Sequence, residues 1–239
     1  MSAHIGIIAC SAEGAALCYR TICQEASGAM GRHTHPEISM HTHPLSAYMA
    51  YIYRDDWEGV GDLMISSAQK LQACGADFLI CPDNTIHRVF GRVAAQSELP
   101  WLHIVEEVAN EVDHRGFRRV GVLGTRYIME GPVYSEVLMR RGIEHRVPSP
   151  PDRVDVNRII FEELVNGIFR PESLEVFRTV IARLKSDGCD AVALGCTEIP
   201  LLINPEDSPL PVLDSTRILA RAALRRSVAN DLPPRRQPA

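Results

Sequence analysis

The sequence lacks both a long basic run and a long apolar run. Its 239 residues carry 25 Lys and Arg against 30 Asp and Glu, a net charge of −5. Without a cluster of basic residues, no nucleic-acid or anionic membrane surface is predicted. No apolar stretch approaches the roughly 18 residues that a membrane-spanning helix needs, and the start, MSAHIGIIAC, has no basic leader segment. We therefore expect a cytoplasmic protein with no membrane or nucleic-acid partner.

Motifs for cofactors and metals are also missing. The chain has no P-loop and no GxGxxG. HTHPEISMHTHP at residues 33–44 has four histidines that could hold zinc, but Pro36 and Pro44 indicate loops, and His33 and His35 are expected on the surface. The odd number of cysteines has no metal-ligand spacing and indicates reduced thiols: Cys10, Cys18, Cys23, Cys74, Cys81, Cys189 and Cys196. We expect neither a metal nor a cofactor.

Apolar runs alternate with helix-like segments along the chain. Apolar residues make up 46% of the sequence and charged residues 23%, as in an ordinary globular protein. Helical periodicity is clear at residues 57–74 and 158–168. The predicted strands are residues 4–9, 37–41, 78–80, 101–104, 120–123, 145–147, 191–194 and 212–213. Short strands that alternate with helices predict an α/β protein with parallel sheets.

The sequence also repeats itself. GADFLICPDNTI begins at Gly75 and GCDAVALGCTEI begins at Gly188, 113 residues later, and the two align without a gap. HIGIIAC in the first half likewise matches RVGVLGT in the second half. In the aligned segments, Asp83 falls on Cys196. Two matches at nearly the same offset predict two similar half-domains.

Each half-domain is predicted to be a small doubly wound α/β layer. The first comprises residues 1–113 plus 210–239, which include a returning C-terminal helix, and the second comprises residues 114–209. Ligands of open α/β sheets bind beyond the carboxyl ends of the strands. If a pseudo-two-fold axis relates the halves, these ends face one another across a cleft. Asp83 and Cys196 are then expected on either side of a bound molecule.

Two titratable groups on opposite faces of a carbon suit a reaction in which a proton leaves one face and returns to the other. Because the α-proton of an amino acid is very weakly acidic, the site must also stabilise the charge that develops on the carboxylate. Small polar residues after the strands can donate the hydrogen bonds, together with N–H groups at helix starts. The residues expected to hold the carboxylate are Ser11, Asn84, Thr85, Thr125 and Thr197.

Four further side chains are candidate site residues, and two of them have alternative roles. His41 is expected to leave the second strand and meet a distal group of the substrate. His87 could face the cleft or pair with Asp83, and Glu198 could orient a substrate amine or simply begin a helix. Cys196 is expected to open that helix, whose N-terminus would lower the pKa of the thiol.

The role of Asp83 also stays open at this point. With an ordinary pKa of about 3.9, an Asp is a weak base unless burial raises that pKa. Asp83 could instead bind a substrate ammonium group. The simplest structural alternative is that it caps the following helix.

Four segments resemble the cofactor-independent aspartate/glutamate racemase superfamily: DNTIH (83–87), VGVLGTRYIMEGPVY (120–134), GCTEIPLLI (195–203) and PVLDST (211–216). The resemblance covers essentially the whole chain. It implies two Rossmann-like (flavodoxin-like) halves, an active site at their interface, often a homodimer, and two opposing cysteines as acid and base. Cys196 matches the second cysteine, Asn84 and Thr85 match the Asn-Thr after the first, and Thr197 matches the threonine that holds the substrate carboxylate.

The sequence departs from this family pattern at three places. Asp83 stands where the first cysteine is usual, and ACSAE at residues 9–13 replaces a glycine-rich loop. Leu219 stands where a histidine is common after the last Asp-Ser-Thr. These departures leave the predicted fold in place but argue against symmetric two-thiol chemistry.

The leading hypothesis is an amino-acid racemase or epimerase that acts on a small, Asp- or Glu-like carboxylate. Cys196 is the main acid/base and Asp83 its unequal partner. One alternative is a one-thiol relative, such as an arylmalonate-type decarboxylase or a maleate-type isomerase. The other alternative is a ligand-binding protein that has lost catalysis.

Overall fold

The computed structural model describes residues 2–229, which form two compact units. Unit 1 contains the residues up to His103 together with those from Leu219 onward, and unit 2 contains Ile104–Ile218. Residues 230–239, assigned above to the first half-domain, lie outside the described part. Within residues 2–229, no helix combines the length and the apolar character needed to cross a membrane.

Strands and helices alternate as predicted. The strands of the described residues are β1 (Ile5–Ala9), β2 (Ile38–Thr42), β3 (Phe78–Ile80), β4 (Arg119–Leu123), β5 (Glu144–Arg146), β6 (Ala191–Leu194) and β7 (Val212–Asp214). The α-helices are α1 (Ala12–Met30), α2 (Leu45–Ile52), α3 (Trp57–Ala73), α4 (Phe90–Gln96), α5 (Ile104–Arg115), α6 (Arg126–Met129), α7 (Pro132–Arg140), α8 (Pro150–Glu162), α9 (Pro171–Ser186), α10 (Ile199–Leu202) and α11 (Ser215–Val228). Short 3₁₀ helices lie at Thr85–Val89, Leu164–Asn166 and Pro205–Asp207.

Both sheets are parallel, which confirms the predicted fold class. Sheet A of unit 1 has the order β2-β1-β3, and sheet B of unit 2 has the order β5-β4-β6-β7. The central strand of sheet A, β1, is buried along its whole length. Such continuous burial is typical of parallel strands that helices cover on both faces.

The predicted repeat has a structural basis in the turn before β3 and before β6. Gly75 and Gly188 have φ angles of +86° and +85°, a conformation that favours glycine. Two residues later, the Asp77 carboxylate accepts the backbone N–H of His4 at 2.8 Å. The Asp190 carboxylate accepts the backbone N–H of Arg118 at 2.8 Å in the same way. Each aspartate thus ties the start of its strand to the start of the neighbouring central strand.

A second matched glycine lets a helix approach the central strand of each sheet. A Cβ on Gly6 would lie 3.3 Å from the Cβ of Leu71 on α3. A Cβ on Gly121 would lie 3.4 Å from the Cβ of Leu184 on α9. The two leucines are themselves 113 residues apart. The same helix-on-strand contact therefore occurs in both units.

Two predicted elements need correction. Residues 101–104 form only an isolated bridge between Trp101 and Leu79, and Ile104 already begins α5. The buried face of α5 has helical spacing at positions 104, 105, 108, 109 and 112, and this periodicity overrides the short apolar run. The helix predicted at residues 158–168 instead runs from Pro150, capped by Ser149, to Glu162.

The boundary between the units also differs from the predicted division. Residues 104–113 and 210–218 belong to unit 2 rather than to the first half-domain. The reason is local bonding: the Arg141 side chain of unit 2 bonds Glu106 and Asp113 on α5, and β7 pairs with β6.

Candidate functional site

In unit 1, polar residues collect at the carboxyl edge of sheet A. The parallel register places Ala9 beside Thr42 and Ile7 beside Ile80, so the loops after all three strands leave at one edge. Ser11 follows β1, caps α1 and accepts the backbone N–H of Gly14 at 3.3 Å. This capping oxygen is part of the helix start.

Asp83 follows β3 in this group of loops. Its side chain is partly exposed, and Oδ1 accepts the backbone N–H of Ile86 at 3.3 Å. The capping alternative therefore describes part of what this carboxylate does. Asn84 is buried and Thr85 is partly exposed at the start of the 3₁₀ helix.

The thiols near Asp83 are packed. Cys81, two residues earlier, has no exposed surface, and burial followed by the charge of Asp83 raises the pKa of its thiol well above the ordinary value. Cys10 after β1 is also buried. A protonated, enclosed Cys81 is unsuited to act as a base, so Asp83 is the candidate acid/base of this loop.

His87 is part of the core of unit 1. Burial, and next the neighbouring His103, hold its pKa well below the usual value, so the ring is neutral. Nε2 donates to the carbonyl oxygen of Cys81 at 3.0 Å, and the ring stacks on Phe90. His87 therefore fixes the loop that carries Asp83.

His41 is tied to helix α3. Its Nε2 lies 3.1 Å from the Lys70 ammonium, which can only donate, so Nδ1 carries the ring proton and donates to Ser67 Oγ at 3.0 Å. Burial, and then the charge of Lys70, lower the pKa of His41 and keep it neutral. Among residues 2–229, no group of three or more His, Cys, Asp or Glu side chains could hold a metal ion.

In unit 2, the loops after β4, β6 and β7 leave at the carboxyl edge of sheet B, because these strands are neighbours in the parallel order β4-β6-β7. The loop after β6 contains a buried hydrogen-bonded group. Glu198 Oε2 accepts from Cys196 Sγ at 3.0 Å and from Thr197 Oγ1 at 2.8 Å. The three side chains are between 3% and 8% exposed. A carboxylate in contact with a thiol is placed to receive its proton.

The prediction that Cys196 opens a helix is wrong. Residues 196–198 form a turn, and the four-residue helix α10 begins at Ile199. Pro200 explains this start, because proline lacks an N–H and favours the first turn of a helix. The local partner of the thiol is the Glu198 side chain.

Close glycine packing joins the loops after β4 and β6. The N–H of Gly195 donates to the Leu123 carbonyl oxygen at 2.6 Å. A Cβ on Gly195 would lie 3.0 Å from that oxygen, and one on Gly124 would lie 3.1 Å from the Gly195 carbonyl oxygen. Both positions need glycine, and the packing fixes the Cys196 loop against the loop that carries Thr125.

Two buried hydroxyl groups flank this loop. Thr125 Oγ1 follows β4, Thr216 Oγ1 follows β7, and neither has a hydrogen-bond partner among the described residues. Ser215 Oγ donates to the Leu194 carbonyl oxygen at 2.7 Å and joins the ends of β6 and β7. Thr216 was not singled out from the sequence, although its place after a strand end matches that of Thr125.

The comparisons with known proteins agree with this architecture. Residues 5–223 match the model of the Asp/Glu/hydantoin racemase family. The chain is 26% identical over 208 residues to the broad specificity amino-acid racemase RacX of Bacillus subtilis, and the match covers 84% of this chain and 86% of that relative.

Solved structures show the same similarity. A putative Asp/Glu racemase from Yersinia pestis is 34% identical with a TM-score of 0.88, over 95% of this chain and 99% of that one. An aspartate racemase homologue from Pyrococcus horikoshii is 30% identical with a TM-score of 0.83, over 95% and 99%. A glutamate racemase from Francisella tularensis, solved with D-glutamate, shares the fold at 14% identity with a TM-score of 0.70, over 99% and 86%. The chain belongs to the Asp/Glu/hydantoin racemase family.

Proposed function

We propose that this protein is a cofactor-independent amino-acid racemase or epimerase in which Cys196 and Asp83 transfer protons at the carbon next to a carboxylate. The observation that carries the proposal is the buried Cys196–Glu198 contact of 3.0 Å at the carboxyl edge of sheet B. The relatives of this chain include a broad specificity amino-acid racemase and a putative Asp/Glu racemase. A small amino acid with an Asp- or Glu-like side chain is the proposed substrate.

The first step begins at the thiol. Glu198 takes the proton of Cys196, and the resulting thiolate removes the α-proton from one face of the substrate. Asp83, in its acid form, returns a proton to the other face. The reverse reaction exchanges these roles. One turnover leaves Cys196 protonated and Asp83 ionised, so the free enzyme must exchange protons with water before the next turnover in the same direction.

The charge that develops on the substrate carboxylate needs hydrogen-bond donors. The buried hydroxyl of Thr125 is suited to this task because it has no partner among the described residues. Preorganised donors of this kind are commonly the largest electrostatic contribution to catalysis. Ser11, Asn84, Thr85 and Thr197 complete the proposed set of carboxylate ligands, His41 is proposed near a distal group, and His87 is proposed to support the Asp83 loop.

We also propose a cellular location and an oligomeric state for this enzyme. We place it in the cytoplasm and expect a homodimer, as in other members of the superfamily that the sequence resembles. A small-molecule carboxylate is its proposed partner. Analytical ultracentrifugation of the full chain tests the dimer directly.

Proton exchange tests the proposed activity. A panel of amino acids is incubated with the full-length protein in D₂O, and the α-proton signal is followed by NMR. We expect at least one acidic amino acid to lose its α-proton signal, and we expect Cys196→Ala to stop that loss for the enantiomer whose α-proton the thiol removes. Absence of exchange across the panel, or undiminished exchange in Cys196→Ala, would contradict the assignment.

A one-sided reaction is the second candidate, because Asp83 is engaged in capping through its bond to Ile86. In that case Cys196 alone reprotonates an enolate, as in an arylmalonate-type decarboxylase. Release of CO₂ from substituted malonates without racemisation of amino acids distinguishes this candidate. A protein that binds ligands without catalysis would show neither reaction, and its Cys196 would react with iodoacetamide only at an ordinary rate.

A further inference from the structure

A buried phenol lies among the groups at the carboxyl edge of sheet A. Tyr48 belongs to α2, the helix that follows β2 directly after Pro44, and its side chain has no exposed surface. Its hydroxyl oxygen is buried, and no residue within 2–229 meets it with hydrogen-bond geometry. A buried donor without a partner costs about 1–3 kcal/mol, so such a group is retained where something satisfies it.

The surroundings of Tyr48 keep its hydroxyl protonated. Burial is the largest influence, and Cys81, Cys10 and Asp83 also lie close enough to raise the pKa of the phenol well above its usual value of about 10. At neutral pH Tyr48 is therefore an O–H donor rather than a phenolate. One of the groups around it, Asp83, belongs to the proposed site in unit 1.

A hydroxyl close to Tyr48, that of Ser67, is bonded to two other groups. Ser67 Oγ donates to the Leu63 carbonyl oxygen at 3.1 Å and accepts from His41 Nδ1 at 3.0 Å. The direction of that second bond is fixed because the Lys70 ammonium donates to His41 Nε2, which leaves the ring proton on Nδ1. Ser67 lies near enough to lower the pKa of Tyr48, but outside hydrogen-bond geometry. Because no described residue accepts the Tyr48 proton, it is available to an acceptor that enters from outside the chain.

We propose that Tyr48 is a substrate-binding residue whose hydroxyl donates a hydrogen bond to a carboxylate group of the substrate at the carboxyl edge of sheet A. The inference rests on the proposed function, because it places the substrate beside Asp83. A carboxylate fits better than an amine here: the phenol offers one O–H donor, whereas Asp83 is the better partner for an ammonium group. A donor next to Asp83 also lets a second carboxylate approach that position.

The experiment measures binding rather than turnover. Succinate, a carboxylate without an amine, and butylamine, an amine without a carboxylate, are titrated into the full-length protein by NMR. Three forms are compared: the natural sequence, Tyr48→Phe, and the control Tyr53→Phe, whose residue is 69% exposed on the same segment. We expect Tyr48→Phe to weaken succinate binding about tenfold or more, the usual loss for a hydrogen bond to a charged group. Butylamine binding and the control should not change.

Three results would overturn the inference: no succinate binding by the natural sequence, equal succinate affinity in Tyr48→Phe, or an equal loss for butylamine. If Tyr48→Phe does not fold, a succinate-bound crystal structure of the natural sequence decides. Tyr48 Oη within about 3.0 Å of a carboxylate oxygen supports the inference, and a longer distance contradicts it. Failure of the D₂O exchange experiment removes the proposed reaction but leaves this binding result intact.

Discussion

The two units share the same turns and helix–strand contacts but differ in the side chains at the proposed catalytic positions. Gly75 and Gly188 make the same turn, and Gly6 and Gly121 admit the same helix contact. At the matched position after the strand, however, unit 1 has Asp83, which accepts a backbone N–H, whereas unit 2 has a thiol that donates to a carboxylate. The repeat therefore preserves backbone geometry and allows the side chains at the strand ends to diverge.

The difference extends to how each loop is held. In unit 2, Gly124 and Gly195 pack backbone against backbone, and Gly195 bonds Leu123 directly. In unit 1 the loop with Asp83 is held by His87, which donates to the Cys81 carbonyl oxygen. One loop depends on glycine packing and the other on a buried neutral imidazole, so the two should respond differently to mutation and to pH.

Removing either proposed acid/base should have the largest effect. We expect Cys196→Ala and Asp83→Asn each to lower the turnover number about 10²- to 10⁴-fold, the usual contribution of general acid–base catalysis. Steady-state racemisation measured by circular dichroism checks this, with Tyr53→Phe, an exposed position outside the proposed site, as the control. If Asp83→Asn keeps full activity, Asp83 is not an acid/base of the reaction and only the proposed role of Cys196 remains.

Making the two units alike sharpens the comparison. Asp83→Cys gives both units a thiol at the matched position, and we expect it to retain activity and to move the rates of the two directions closer together. The ratio of forward to reverse turnover numbers, measured from each enantiomer, is the readout. A variant as inactive as Asp83→Asn would show that the carboxylate has a role that a thiol cannot fill.

Glu198 is expected to have an intermediate effect through the thiol. Glu198→Gln keeps the shape but removes the group that accepts the proton of Cys196, so we expect about a tenfold slower turnover, or about 1.4 kcal/mol. Alkylation of Cys196 by iodoacetamide should also slow in this variant. An unchanged alkylation rate would show that Glu198 does not activate the Cys196 thiol.

The matched turns allow a direct comparison of stability. Gly75→Ala and Gly188→Ala each force a non-glycine residue into a left-handed conformation, which costs about 1–2 kcal/mol in the free energy of unfolding. Gly188→Ala should cost more, because its Cβ would lie 2.6 Å from Arg119 Nη1 and would displace this group from the Asp187 carbonyl oxygen, to which it donates at 3.2 Å. Near Gly75 only His4 Nδ1 lies within reach, at 3.8 Å. Urea denaturation of both variants measures this, and an equal or reversed order would contradict the explanation.

The smallest effect concerns pH and belongs to unit 1 alone, since Pro200 occupies the position that matches His87. His87 stays neutral in the folded protein, whereas the unfolded chain binds its proton below about pH 6.5. Its contribution to stability is therefore complete above that pH and is lost as the pH falls, by at most about 1.4 kcal/mol per unit. His87→Gln should flatten the dependence of the unfolding free energy between about pH 7 and 5, relative to the natural sequence. Parallel curves would exclude the buried, neutral histidine.

The sequence predicted the strands and the repeated turns because the backbone conformation at these positions restricts which residues can occupy them. Gly75 and Gly188 mark left-handed turns, and the short apolar runs matched the strands closely, with residues 78–80 and 191–194 predicted to the residue. The start of α5 was missed because a short apolar run at residues 101–104 looks alike in a strand and in a helix.

The side-chain partners could not be predicted in the same way. The contact between Glu198 and Cys196 depends on a turn at residues 196–198, and Pro200 places the start of the helix after that turn. The contacts of His41 depend on Ser67 and Lys70, which lie 26 and 29 residues away in the sequence. Tyr48 lies in no motif, and Thr216 lies in PVLDST but was given no role there. Both stand out in the structure because their hydroxyl groups are buried without a partner among the described residues.

The most direct test of the account follows α-proton exchange separately for each enantiomer of one acidic amino acid. A reaction with unlike groups on the two faces predicts complementary losses: Cys196→Ser abolishes exchange from one enantiomer, and Asp83→Asn abolishes exchange from the other. Equal losses from both enantiomers in each variant, or exchange that persists from both enantiomers without Cys196, would contradict a carboxylate and a thiol acting on opposite faces of one carbon.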